Sequence, residues 1–171
     1  FILQVGNTSL FLSLVLTMVV CLVLGMGIPT IPNYIITSAV AAPALLQLGV
    51  PLIVSHMFVF YFGIMADLTP PVALAALAAS SIAKAPYMRI GFKATQIAMA
   101  GFVVPYMAVY EPALMLLGPW FDSVYVIGKA LLAIGLWGAA VIGYLWAPVG
   151  RVERGLAVTA AGLLVVAFPV T

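Results

Sequence analysis

The first 66 residues of this chain contain no aspartate, glutamate, lysine or arginine, and His56 is the only side chain among them with a basic ring. The run ends at Asp67. A soluble domain carries roughly 25% charged residues, whereas charged residues make up 6% of these 171. Hydrophobic residues account for 66%, and the mean hydropathy is +1.31. That balance excludes a soluble globular enzyme, a disordered tail and a nucleic-acid binder, which needs a basic surface. The chain reads as an integral membrane protein, with the lipid bilayer as its solvent.

The spans are helical. Outer-membrane strands alternate apolar and polar residues over about ten positions, but the apolar runs here are continuous. At about 20 residues per span, the length allows five or six passes. The single cysteine, Cys21, excludes a disulfide framework and a thiolate metal cluster. The chain starts at Phe1, already in apolar sequence, and shows no signal-peptide pattern. It is expected to be the C-terminal portion of a longer polypeptide.

Two regions differ in character. Residues 92–110, 124–146 and 155–169 are ordinary apolar stretches, so residues 85–171 are expected to supply about three transmembrane helices. Residues 1–84 are instead interrupted twice. Segment 8–24 runs into Gly25-Met26-Gly27-Ile28-Pro29-Thr30-Ile31-Pro32 before a second run at 33–47; segment 52–66 runs into Asp67-Leu68-Thr69-Pro70-Pro71 before a run at 72–83. Arms of 12 to 17 residues reach only about 18–25 Å, short of a hydrocarbon core of about 30 Å. Proline deletes a backbone donor and pushes its predecessor out of helical geometry. Freed backbone groups persist at membrane depth only where protein or a water-filled cavity satisfies them. Two such breaks in succession point to a transport site, because discontinuous helices aim their ends at ions and substrates. The plainer alternative is that glycine and proline are simply frequent in membrane helices.

Charge orients the chain. Lys84, Arg89 and Lys93 form one basic loop, and Arg151, Glu153 and Arg154 a second with net positive balance; both belong in the cytoplasm. Segment 92–110 then crosses outward, the loop at 118–122 lies outside, and 124–146 returns. Lys129 is expected to snorkel to the outer interface, with Trp120, Tyr125, Tyr144 and Trp146 near the span ends. The 52–83 element becomes one interrupted span, and 8–47 a re-entrant helical hairpin with its tip at 25–32. The expected fold is all-α and polytopic.

The stretches LGMGIPTIPNYIITSAVAAPALLQLGV, SHMFVFYFGIMADLTPPVALAALAASSIAKA and GFVVPYMAVYEPALMLLG resemble the large permease of tripartite ATP-independent periplasmic (TRAP) transporters, most of all the fused-permease subfamily. The resemblance covers residues 20 to 118. It implies sodium-coupled secondary transport of organic anions, carboxylates among them, with an elevator-type motion. It also implies an extracytoplasmic (periplasmic) solute-binding protein as partner and a small-subunit region fused in the same full-length polypeptide. This chain would then be the second of two inverted repeats in a bacterial or archaeal cytoplasmic (inner) membrane, with no cofactor beyond the coupling ion.

The candidate ion- and substrate-binding residues are Gly25, Gly27, Pro29, Thr30, Asn33, Gly63, Asp67, Thr69, Pro70 and Pro71. Unwound carbonyls at helix C-termini supply hard oxygens to sodium without adding formal charge. Those at Gly25 to Ile28 and near Gly63 and Ala66 are the candidates, with the Thr30 and Thr69 hydroxyls as candidate Na+ ligands. Pro70 and Pro71 suit the first turn of the following helix, and Asn33 is placed to donate to an anionic substrate. The alternatives are ordinary helix caps at Thr30, Thr69 and Asp67. His56 is expected to make a structural hydrogen bond between helices in preference to relaying protons, and Glu111-Pro112 an interfacial kink. Gly135, Ala139 and Gly143 have the spacing that permits close helix contact.

A different class of function is a proton-conducting or structural membrane subunit of an energy-converting complex. It needs ionisable groups in several helix centres, and the arms here are neutral. A membrane-embedded enzyme would need paired acids or a nucleophile–base pair, which one histidine and four scattered acids do not provide.

Overall fold

In the computed structural model residues 9–166 are described, and among them every regular element is a helix. The α-helices are α1 (Leu10–Gly25), α2 (Thr30–Gln47), α3 (Leu52–Met65), α4 (Leu74–Ala83), α5 (Tyr87–Tyr110), α6 (Trp120–Ile142) and α7 (Arg151–Val166). A 3-10 turn, Pro112–Met115, follows α5. Helices α5 and α6 are each long and apolar enough to cross a membrane, at about 36 Å and about 35 Å. The outer ends of the expected segments, residue 8 and residues 167–169, lie outside the described residues.

The chain divides into two units, the first ending at Thr95 and the second starting at Gln96. In the first unit α1, α2 and α3 pack against one another. Each contributes a stripe at helical spacing: Ser13, Thr17, Cys21 and Gly25 from α1; Asn33, Thr37, Ala41 and Leu45 from α2; Val54, Phe58 and Phe62 from α3. The stripes of α1 and α2 are small and in part polar, yet buried. Large aliphatic side chains face outward instead, among them Ile31 at 75% exposure, Ile35 at 61% and Val23 at 58%. Water would invert that arrangement; hydrocarbon favours it, because small residues let helices approach closely and lipid tails are as apolar as leucine. The buried hydroxyls need no partner across the interface, because each bonds one turn back on its own helix. Thr17 donates to the Ser13 carbonyl at 2.8 Å, and Thr37 donates to the Asn33 carbonyl at 2.8 Å.

Helix α2 ends in a Schellman motif. The Val50 N–H reaches the Leu45 carbonyl at 3.1 Å, and the Gly49 N–H that of Leu46 at 3.0 Å. Gly49 takes the left-handed conformation at φ 85°. Pro51 then opens α3, where the Ser55 N–H meets the Pro51 carbonyl at 2.9 Å.

Several boundaries depart from expectation, each for a local reason. Helix α2 begins at Thr30, because Pro32 falls in the first turn, where proline costs little. Helix α4 begins at Leu74, so Pro70 and Pro71 lie in the preceding turn and not at the head of that helix. Lys84 caps α4 in a left-handed conformation, while Arg89 and Lys93 lie within α5. Arg151, Glu153 and Arg154 form no loop: they are the first turn of α7. There the Glu153 carboxylate accepts the Gly150 N–H at 2.7 Å, which is half of a capping box. Helix α6 begins at Trp120 behind Pro119, with Asp122 in its first turn complementing the helix dipole.

In the second unit, Gly143 ends α6 at φ 79°, and Val149 N–H to the Gly143 carbonyl at 2.9 Å closes a short loop that carries Trp146 at 90% exposure. Of Gly135, Ala139 and Gly143 only the latter two lie in close quarters. A Cβ at Gly135 would meet nothing within 4 Å, whereas Ala139 is buried and Gly143, which terminates the helix, lies beneath the Arg154 guanidinium of α7.

Candidate functional site

The first break is short. Helix α1 ends at Gly25, Gly27 takes φ 78°, and Pro29 precedes the first residue of α2, Thr30. The Asn33 N–H already bonds the Pro29 carbonyl at 3.0 Å. Pro32 has no N–H, which leaves Thr30 and Ile31 as the donors at the head of α2. Thr30 is exposed and makes no side-chain capping bond, so it is the first helical residue and not a cap.

The second break winds on past α3 with tighter turns, each bond reaching three residues back. Asp67 donates to the Ile64 carbonyl at 3.1 Å, Leu68 to that of Met65 at 3.2 Å, and Thr69 to that of Ala66 at 3.3 Å. The chain turns through Thr69, Pro70 and Pro71 to Ala73, in the left-handed region at φ 41°. Asp67 does cap α4, but through its backbone: the Ala75 N–H meets the Asp67 carbonyl at 3.1 Å. Its carboxylate is not the cap, and the Oδ1 atom is buried without a hydrogen-bond partner among the described residues. The Thr69 hydroxyl caps nothing either; it donates to the Met65 carbonyl at 2.7 Å, and its oxygen lone pairs remain available.

Asn33 joins the two breaks. Its amide nitrogen donates to the Gly63 carbonyl at 2.8 Å, tying the first turn of α2 to the last turn of α3. Helix α1 reaches the same point at Gly25. A Cβ there would lie 2.8 Å from both the Asn33 amide nitrogen and the Gly63 oxygen, and 2.9 Å from the Ala66 Cβ. A Cβ at Gly63 would stand 3.1 Å from that same nitrogen, and one at Gly27 3.9 Å from Val72 of the second break. Gly25, Asn33 and Gly63 therefore meet at one junction, with Gly27 approaching the far side of the second break. Thr30 lies outside the junction.

The junction adds a buried acceptor to the donor expected of Asn33. One of its two amide hydrogens is committed to Gly63, and its Oδ1 is an acceptor that is buried and without a partner among the described residues. An orphaned acceptor suits a cation or a hydrogen-bond donor, not an anion. The C-termini of α1 and α3 converge on the same place, and these are the negative ends of both helix dipoles. Further along, Thr95 of α5 donates to the Leu68 carbonyl at 3.2 Å, and Gly91 packs on Pro70 and Ala73. The second break is thereby braced from both sides.

His56 makes the interhelical bond expected of it: Nδ1 lies 2.9 Å from the Tyr34 hydroxyl, joining α3 to α2. Two residues depart from expectation. Lys129 does not snorkel outward, and Glu111 is no bare kink; Lys129 Nζ sits 2.7 Å from Glu111 Oε1, with side chains only 3% and 8% exposed. The sequence carries a signal for this pair, since Glu111 closes one apolar run and Lys129, of opposite charge, lies inside the next.

The sequence model of the family described as DctM, the tripartite ATP-independent periplasmic transporter DctM component, matches residues 1–121. That span contains both breaks and the junction between them. No curated protein and no solved structure matches the chain.

Proposed function

The chain belongs to the DctM family of tripartite ATP-independent periplasmic transporters, and from that premise we propose that residues 1–84 form the binding core of a sodium-coupled permease for organic anions, carboxylates in particular. The family is one of transporter components and not of enzymes. Its members are integral inner-membrane permeases that work with a periplasmic binding protein and a small component. In the proposed arrangement α1 and α2 are the two arms of a re-entrant hairpin, and α3 with α4 is one interrupted span. With 16 residues in α1 and 14 in α3, these helices reach about 24 Å and about 21 Å, each short of a hydrocarbon core of about 30 Å.

The observation that carries the reading is the pair of orphaned buried oxygens, Asn33 Oδ1 and Asp67 Oδ1, one at the junction and one on the break it joins. Sodium takes oxygen ligands. The end of α1, the end of α3 and the lone pairs of Thr69 offer them from the same neighbourhood, and Asp67 supplies the single formal charge. The head of α2, with the N–H groups of Thr30 and Ile31, is the positive end that suits a substrate carboxylate. Cation and anion thus fall on opposite sides of four residues of backbone, close enough for each to stabilise the other.

The test is uptake by the complete transporter in proteoliposomes, with its binding protein present and an inward sodium gradient. Asp67→Asn removes the formal charge and Thr69→Ala one ligand oxygen, and each should weaken sodium affinity about 5- to 150-fold, the equivalent of roughly 1–3 kcal/mol, with insertion unchanged. Thr69→Ser should restore it. Uptake that ignores the sodium gradient, or sodium affinity untouched in both variants, defeats the proposal. Residues 1–171 alone in liposomes should accumulate no organic acid above background.

A further inference from the structure

Tyr34 follows Asn33 directly in α2, and its hydroxyl lies 2.9 Å from His56 Nδ1 on α3. The Tyr34 ring also meets Phe60 of α3 edge-on, at a centroid distance of 5.4 Å. Both this bond and the Asn33–Gly63 bond join α2 to α3, and they start from neighbouring residues. His56 stands seven residues before Gly63, about 10 Å along the helix. The pair can take up a proton without coming apart. With a neutral ring carrying its hydrogen on Nε2, the Tyr34 O–H donates to Nδ1. With an imidazolium, Nδ1–H donates to the Tyr34 oxygen, because a phenol serves as donor or acceptor. The His56 ring is only half-buried, so it is open to a proton.

Nothing nearby neutralises the charge that such a proton brings. Helix α3 packs against α1 and α2. Besides His56, the titratable side chains on these three helices are Cys21 of α1, Tyr34 of α2 and Tyr61 of α3. Thiols and phenols are uncharged near neutral pH, and the first 66 residues hold no carboxylate, ammonium or guanidinium side chain. The next charged side chain, Asp67, lies past the end of α3 on the second break. A relay needs a succession of ionisable groups, which these helices lack. A proton that reaches His56 therefore stays there, and its charge acts through space on the junction.

We propose that His56 is a proton-binding site antagonistic to sodium: the imidazolium and the cation at the junction each weaken the binding of the other. The inference rests on the sodium reading of that junction. Two like unit charges about 10 Å apart, at an effective dielectric of about 20, weaken each other's binding about tenfold. Linkage makes the effect reciprocal, so bound sodium weakens proton binding at His56 by the same factor.

Histidine is the side chain that changes charge between about pH 5 and about pH 8, which sets the assay. Binding of radioactive sodium to the complete transporter in detergent is measured by scintillation proximity at both limits, without substrate. The parent should bind sodium at least about tenfold more weakly at the acid limit. His56→Gln, whose amide oxygen can still accept from Tyr34, should remove about tenfold of that difference; the remainder belongs to Asp67 in the ion site. Sodium added to weakly buffered protein near neutral pH should release protons from the parent, and fewer from the variant. A merely structural His56 would instead shift sodium affinity equally at both pH limits. His56→Phe keeps a ring beside Tyr34 and serves if His56→Gln fails to assemble. A pH dependence of the same size in parent and variants overturns the proposal and leaves the sodium reading intact. Absence of sodium binding at both limits removes the junction reading, and this inference falls with it.

Discussion

Adding one carbon to Gly25 should do more damage than its size suggests. In Gly25→Ala the new methyl stands 2.8 Å from the Gly63 carbonyl oxygen, 2.8 Å from the Asn33 amide nitrogen and 2.9 Å from the Ala66 Cβ. None of the three is the loose end of a flexible side chain. The Gly63 oxygen is backbone of α3, the Ala66 Cβ is fixed to its own backbone, and Asn33 is held by the very bond the methyl intrudes on. Relief requires α1 to move away from α3, or Asn33 to release Gly63. Overpacking of this kind costs about 1–3 kcal/mol, and leaving the Gly63 carbonyl or the Asn33 amide unsatisfied adds about 1–3 kcal/mol. The gain in helix propensity from glycine to alanine returns at most about 1 kcal/mol. The net loss should be about 1–5 kcal/mol. Gly135→Ala is the matched control, since it lies inside α6 with nothing within 4 Å of the new carbon. Only the propensity gain of up to about 1 kcal/mol applies there. Denaturant titration of the full chain in detergent micelles, followed by far-ultraviolet circular dichroism, measures both. The two variants should move in opposite directions. A Gly25→Ala midpoint equal to or above that of Gly135→Ala would refute the close approach of α1 to α3.

Removing one partner of the buried ion pair, as in Lys129→Met or Glu111→Gln, should destabilise the chain by about 3–5 kcal/mol for the variant that strands a charge. The double variant Lys129→Met/Glu111→Gln should recover most of the loss by the same titration. Tyr34→Phe should cost about 1 kcal/mol through the lost bond to His56, with no further effect from adding His56→Phe beyond its own packing change. At Gly143, alanine would be strained at φ 79° and would collide with the Arg154 guanidinium packed over it. Gly143→Ala should therefore lower stability by about 1 kcal/mol or more, and Arg154→Ala should relieve part of that.

The helical class and the two breaks are legible because they rest on features a sequence carries directly: unbroken apolar runs, and prolines where a ladder must stop. The limits of the breaks are less legible. Pro29 and Pro32 together suggest a helix starting after both, but proline is tolerated in a first turn, so α2 starts between them. Pro70 and Pro71 would serve equally well at a helix start, yet the chain turns on through Ala73 before α4 begins. Asn33 stands out by its position near a helix head. Its direction is not readable, because that depends on Gly63, thirty residues away, whose carbonyl takes the amide hydrogen. Taken one at a time, Lys129 and Glu111 look like surface features, whereas their pairing across a single short connection decides their burial.

The small buried stripe of α1, Ser13, Thr17, Cys21 and Gly25, has a consequence for how this chain tolerates change. In a water-soluble domain the large interior side chains are the ones that cannot be exchanged. Here the large side chains at positions such as 35, 40 and 23 stand exposed on the helix surfaces, so isoleucine, leucine, valine and phenylalanine should interchange there with little effect. The positions that resist replacement should be those occupied by the least bulk, because spacing between helices is set there. A library randomised along α1 and selected for assembly should return a chain that drifts freely in its oily residues while holding its serine, threonine, cysteine and glycine nearly fixed.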